Sequence, residues 1–316
     1  MVANRAGYVI ALLVMAIVGA VQVAGLVSAL SSSGANASLS FFIIPVIILI
    51  AVIVFAVITV RNLLSNGTWE LWFKLDTFAR ANGLVFSPAS AAPSYAGAIF
   101  GLGSNRQKLN SLFSVEGRSI DMGNYRYVTK SGKSSTTHNW GYLALRLDRK
   151  LPHMVLDSRA NNGIFGGTNL PAFFAKNQVL SLEGDFNKHF TLYCPKQYER
   201  DALYVFTPDL MALLIDEAAP FDVEIVDDWM FVYSPKPFVS GDPHVYQRLF
   251  RIIDTVGAKT LSQTDRYADE RIGDPAVNLV APSGQRLKSG ISVTTIAVVA
   301  LFVAFWLFFA VGGMFR

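Results

Sequence analysis

The sequence predicts an α+β fold: an antiparallel-sheet-rich cytoplasmic domain with a few helices, attached to three transmembrane helices. Composition and charge placement carry this. The 316 residues are 52% hydrophobic and 16% charged, with mean hydropathy +0.37, against about 25% charged in an ordinary soluble domain. All 23 Asp and Glu and all but two of the 27 Lys and Arg lie between Arg61 and Gly290; the exceptions are Arg5 and Arg316. Inside that block, stretches of period two alternate with shorter ones of helical period. The distribution excludes a wholly soluble enzyme and implies one globular insert held by apolar segments.

Three uncharged apolar runs reach the roughly 20 residues that a helix needs to cross a bilayer. They span about Tyr8–Leu30, Phe41–Val60 and Ile291–Gly312. The first two, joined by the small polar stretch from Ser31 to Ser40, form a helical hairpin within residues 1–60. Ala35-Asn36-Ala37 resembles a signal-peptidase site. The run before it exceeds the about 7–15 residues of a signal-peptide core, which favours a retained helix. Ala16, Gly19, Ala20, Ala24 and Gly25 make the first span small-sided enough for close helix contact or self-association. None of the spans contains an ionisable side chain, so they are expected to anchor rather than conduct.

Orientation follows from the bases flanking each span. Arg5 precedes the first span; Arg61, Lys74 and Arg80 follow the second; Arg271, Arg286 and Lys288 precede the third, against Arg316 after it. All three comparisons place the N-terminus and residues 61–290 in the cytoplasm and the C-terminus outside, in a multi-pass protein of the cell membrane. The insert itself, with 25 bases and 23 acids, is nearly neutral, which excludes the concentrated basic stripe of a nucleic-acid binder.

The insert divides into an α+β domain over 61–264 and a Gly/Pro-containing flexible tether over 265–290. Its first element is a juxtamembrane helix over 68–82, capped by Thr68 and ended by Gly83. Trp69, Trp72, Phe73 and Phe78 lie along much of one side, with Lys74 and Arg80 beside them. The stripe fits either an interfacial helix at headgroup depth or an ordinary core-facing one. Residues 84–104 read as loop or short strand, and Gly101-Leu102-Gly103 has Arg106 where a dinucleotide site needs a further glycine. Ser119–Val128 and Trp140–Leu147 alternate polar and apolar residues around a turn at Ser131–Ser135, predicting a hairpin, and His153–Asp157 adds a strand. The bases of these strands, Arg118, Arg126 and Arg146 among them, form a solvated face or one turned to anionic lipid. A long loop follows, whose Phe165, Phe173 and Phe174 are candidate partner contacts. Beyond it come a strand at Phe190–Cys194, a helix opened by Thr207-Pro208, and strands 222–226 and 229–233 across an Asp227-Asp228 turn. A helix from Asp242-Pro243 to about Gln263 completes the domain.

Chemical motifs are sparse. The four histidines, His138, His153, His189 and His244, show no zinc spacing, and no P-loop is present. Neither a metal nor a cofactor is expected. The single cysteine, Cys194, follows apolar strand residues and reads as a small buried hydrophobe. His153 and Asp157 are the one candidate catalytic pair, without a nucleophile elbow to complete it.

The stretch Glu183–Tyr193, Tyr204, Thr207–Leu214 and Phe231-Val232-Tyr233 resembles a family of uncharacterised bacterial membrane proteins, a domain of unknown function. The resemblance implies adjacent N-terminal spans followed by an α+β soluble part, and brings no activity or catalytic residues. The expected role is a membrane-anchored binding or scaffold module contacting a protein partner, its own copies or anionic lipid. The alternatives are a membrane-bound hydrolase using His153 and Asp157, or an accessory subunit of a membrane transport complex.

Overall fold

The computed structural model describes residues 2–32, 40–65, 69–163, 167–182, 184–274, 276–289 and 302–303. The chain divides into two compact units, Met1–Lys74 and Leu75–Arg316.

The first unit is built on two long apolar helices, α1 (Val2–Ser32) and α2 (Ser40–Ser65). Each contains an uncharged window long enough to cross a membrane, Ala11–Ser28 at hydropathy 2.3 and Ile43–Val60 at 3.4. Nearly every side chain in these windows is open to the surroundings, which is how a helix surrounded by hydrocarbon distributes its apolar groups. The two helices touch along a stripe in which Gly19 faces Val52. Ala16, Ala20 and Ala24 lie on the exposed side instead. Thr59 satisfies its hydroxyl on the Phe55 carbonyl at 2.7 Å, the usual solution for a polar side chain in an apolar helix. The third apolar run lies outside the described residues, apart from helical Phe302 and Val303.

In the second unit, one antiparallel seven-stranded sheet carries the core. α3 (Trp69–Ala81) leads into β1 (Leu84–Ala91), turning at Gly83 with φ of 68°. β2 (Ser104–Ser114), β3 (Ile120–Ser131) and β4 (Ser134–Ser158) follow as a meander. The β3–β4 register closes at Ser131↔Ser134 around Gly132, whose positive φ suits the first position of a two-residue hairpin turn. β1 is an edge strand, and Pro88 within it removes one N–H that could recruit another strand.

Two short strands, β5 (Val179–Leu180) and β6 (Phe190–Tyr193), flank the helical turn α4 (Phe186–His189). α5 (Glu199–Val205) and α6 (Pro208–Leu213) come next, the latter widening into a π turn over Leu214–Ala218. Pro208 starts α6 as expected, but Thr207 makes no side-chain cap bond. β7 (Asp222–Ser234) then pairs with β4 along its length. α7 (Pro243–Ile252) starts where Asp242 caps the His244 amide, and continues through a π turn into α8 (Ala258–Thr264).

The period-two reading of the strands holds, with two corrections. Trp140–Leu147 and His153–Asp157 belong to the single 25-residue strand β4, and the two strands expected around Asp227-Asp228 form the single strand β7. Register shifts at Arg146/Leu151 and Leu151/Met154, with Asp227 at φ of 53°, absorb what looked like turns. A β-bulge bends a strand without ending it. β4 therefore carries β3 on one edge of its first half, β6 beside its second half, and β7 on the opposite edge from Gly141 to Leu156. The core is markedly aromatic: Phe100, Tyr125, Tyr127, Tyr142, Phe231 and Tyr233 are fully buried together.

The stretch expected as a flexible tether is instead tied to the domain. Tyr267 donates to Asp201, Tyr198 donates to Asp269, Arg271 pairs with both carboxylates, and Asn278 accepts from the Lys150 amide. Polar composition suggested solvent; here polar groups are the fastenings.

Candidate functional site

The bulge in β4 places His153 between β7 and the incoming segment Arg286–Ser289. The Leu287 backbone N–H donates to His153 Nδ1 at 3.0 Å, and the other ring nitrogen, Nε2, lies 2.8 Å from Glu224 Oε1. A backbone amide can only donate, so Nδ1 is the acceptor and Nε2 carries the hydrogen, which it gives to the carboxylate. Glu224 is 1% exposed. Its second oxygen accepts from the Ala98 amide and the Tyr233 hydroxyl, both at 2.7 Å. Burial, reinforced by the Glu224 charge, pushes the Tyr233 phenol well above its ordinary range, so it remains a donor. Three donors converge on one buried carboxylate, which is how an interior charge is kept. Gly97 makes this approach possible, because a Cβ there would occupy the space of the Tyr233 hydroxyl.

This cluster floors a pocket of about 410 Å³. Its walls are mainly apolar: Ala96, Ala98, Pro171, Phe173, Phe174 and Leu287. Phe174 is half-buried, edge-on to His153 at 6.2 Å and against Tyr193 at 5.1 Å, whereas Phe173 remains 47% exposed. Arg286 stands at the pocket with its guanidinium held by Asp227 at 2.9 and 3.2 Å. The volume falls in the range of small-molecule sites, which are mostly apolar with a few convergent polar groups.

The predicted partner of His153 is elsewhere. Asp157 lies four residues along β4, roughly 13 Å away at strand rise, and accepts from Thr168 Oγ1 at 2.6 Å and Asn162 Nδ2 at 2.9 Å. No hydrogen bond joins it to His153. Burial raises the Asp157 carboxyl above its ordinary value. Buried Asp222, which takes the Ser158 amide at 2.8 Å and Asn161 Nδ2 at 3.2 Å, is pushed up to about 7 by burial and then by Asp157. With both His153 nitrogens occupied and, among the described residues, no serine hydroxyl hydrogen-bonded to them, the described residues do not assemble the hydrolase constellation. Glu224, the residue His153 does engage, was missed. Its signal was an acid alternating with Val223 and Ile225 in a strand apolar enough to be buried on both faces.

Among the described residues, no three His, Cys, Asp or Glu side chains gather to hold a metal. Cys194 is buried, and burial pushes its thiol up to about 12, leaving no thiolate for nucleophilic work. Two of the strand bases are committed to acids, Arg118 to Asp148 at 3.3 Å and Arg146 to Asp228 at 3.0 Å, whereas Arg126 donates to the Gln107 side-chain oxygen and Arg149 to the Asp265 carbonyl.

The α3 stripe divides into two faces. Leu75 and Ala79 are buried, and Phe78 packs against Tyr246 and Phe250 of α7 at 5.3 and 6.0 Å. Trp69 and Phe73 are 73% and 72% exposed. Trp72 is half-buried, edge-on to Trp69 at 5.6 Å. Lys74 and Arg80 lie exposed, each paired along the helix, with Glu70 at 2.7 Å and Asp76 at 2.9 Å. Phe165, the remaining candidate contact, lies outside the described residues.

The fold and site define an α+β, antiparallel-sheet domain in a chain with two helices long and apolar enough to cross a membrane. No family model matches the chain, and neither does any curated protein. Among solved structures, the crystal structure of the mycobacterial trehalose monomycolate transport factor A, TtfA, matches at 10% identity with a TM-score of 0.39, over 62% of this chain and 92% of that one. A likeness of that size transfers no function.

Proposed function

We propose that the chain is a membrane-anchored binding module. In this reading α1, α2 and the apolar run 291–312 span the bilayer, residues 61–290 face the cytoplasm, and α3 lies at the headgroup boundary. The carrying observation is the pair Trp69 and Phe73, both exposed on a helix that begins where α2 has just ended. Exposed aromatic rings flanking a membrane span are stabilised at the interface, where an apolar body and a polar edge meet different solvents. Lys74 and Arg80 on the same helix are exposed but offset by Glu70 and Asp76, so the aromatic rings rather than net charge carry the reading. The domain's own contact site is the pocket beside Phe173 and Phe174, open at an exposed aromatic rim. Binding is favoured over hydrolysis because every hydrogen-bonding atom of the His153–Glu224 pair is already engaged.

A photo-crosslinking residue placed at Trp69 and, in a separate full-length variant, at Phe173 tests both halves in intact cells. Lipid adducts at position 69 and a discrete protein or small-molecule adduct at 173 are the expected pattern. The reading fails if position 69 yields no lipid and position 173 reacts only with water.

A further inference from the structure

We propose that His153 is a proton-operated latch that fastens the segment Arg286–Ser289 over the pocket. The latch stands on hydrogen-bond geometry and does not depend on what the pocket holds.

The segment is held chiefly by side chains. Leu287 N–H is on His153 Nδ1; Lys288 N–H is on Gln178 Oε1 at 2.8 Å; and the Lys288 carbonyl accepts from Gln178 Nε2 at 2.9 Å and the Ala175 amide at 3.1 Å. A single bridge pairs Phe174 with Ser289. Leu287 and Ser289 line the pocket, so this segment is part of its wall.

Only one of these fastenings responds to a proton. A neutral imidazole with hydrogen on Nε2 can serve Glu224 and Leu287 together. When a proton is added, it must go to Nδ1, the nitrogen whose lone pair holds the strap. Two N–H donors would then face each other across 3.0 Å, and the strap must leave or the ring must remain neutral. The surroundings tip this balance. From β7, the Glu224 carboxylate favours the imidazolium and keeps its bond to Nε2–H. The Tyr233 hydroxyl stays a neutral donor to that same carboxylate, and Asp227 is bound to Arg286. From the strap, Arg286 is therefore offset, while Lys288 is exposed. On β4, Asp157 is held by Thr168 and Asn162, and the loop face presents the uncharged ring of Phe174. Glu224 is thus the charge that can retain the imidazolium once Leu287 lets go.

By linkage, the closed strap excludes the proton and the proton opens the strap. The contact is intact when the ring is neutral and is lost when Nδ1 takes up a proton.

Hydrogen–deuterium exchange on the full chain in lipid nanodiscs, corrected for intrinsic exchange rates, reads this at the peptide carrying Leu287. Between pH 7.5 and 5.5 its protection is expected to fall about tenfold, while peptides of β7 keep theirs. In His153→Gln the side-chain amide offers a donor and an acceptor at the same spacing without titrating, so the loss disappears. Unchanged protection in the wild-type chain, a loss shared by β7, or an identical loss in a folded His153→Gln protein each overturns the latch. If that variant does not fold, the wild-type comparison of strap and β7 peptides decides alone.

Discussion

The two units place similar side chains in opposite surroundings. Along α1 and α2, Ile17, Ile53 and Phe55 are more than half exposed. In the sheet, Leu143, Leu192, Val155 and Phe231 are completely buried. The helices carry no charge within their apolar windows, whereas the sheet domain buries Asp121, Asp157, Asp222 and Glu224. Each of these acids is surrounded by donors, Asp121 by Lys108 at 2.8 Å and the hydroxyls of Tyr142 and Tyr95 at 2.8 and 3.0 Å. The difference teaches that hydrophobicity alone does not say where a residue sits; the neighbouring solvent does. A helix in hydrocarbon satisfies its backbone internally and has nothing left for a charge. A sheet domain can keep a charge inside, provided the fold brings donors to it.

The strongest way to break that comparison is to remove the best-held charge. Glu224→Leu keeps much of the volume but leaves the His153 N–H, the Tyr233 hydroxyl and the Ala98 amide without an acceptor in the interior. We expect a loss of about 3–5 kcal/mol in domain stability, read from the denaturant midpoint of the full chain. A change under about 1 kcal/mol would mean that water replaces the carboxylate and that the site is wet.

A paired substitution tests the other side. Ile53 of α2 and Val115 after β2 are both exposed, at 54% and 71%. Arginine at Val115 should change stability by no more than about 0.5 kcal/mol, as at most surface positions. Arginine at Ile53, near the middle of the apolar window, should cost roughly 3 kcal/mol of membrane insertion. The readout is the fraction of full-length protein that resists alkaline extraction from membranes. Equal tolerance at both sites would show that α2 does not have a hydrocarbon environment.

Most of the architecture was legible because it rests on local periodicity. The first two apolar runs, the Ser131–Ser135 turn, the Pro208 and Asp242-Pro243 helix starts and the α7 face follow from spacing and capping. What was hidden depends on partners distant in sequence. Asp227-Asp228 has turn chemistry, yet β4 pairs on both sides of it and makes it a bulge. Polar residues 265–289 read as solvated because nothing local announces that Asp201, Gln178 and His153 will receive them. Likewise, His153 and Asp157 share a strand and invite pairing, but the real partner of His153 is Glu224, 71 positions away on the adjacent strand.

Asp222 gives the subtlest test, because there the rule of donors for buried charge is met least fully. It is fully buried and has the Ser158 amide and Asn161 as donors, with Asp157 adding repulsion. Its carboxyl is raised to about 7 in the folded chain, against about 3.9 when unfolded. The folded state thus holds a proton that the unfolded state has released across that interval, and stability falls as pH rises from about 4 to 7 before levelling off. Asp222→Asn removes the titration while keeping an oxygen for the Ser158 amide. Relative to the wild-type chain, the variant should gain about 3 kcal/mol between pH 4.5 and 7.5, in addition to a pH-independent offset from the new amide facing Asn161. Denaturant midpoints of both proteins across that range measure it. Parallel curves would mean that Asp222 is charged throughout and as well served as Glu224. A gap that widens with pH would show that two donors and a like-charged neighbour do not keep this interior carboxylate ionised.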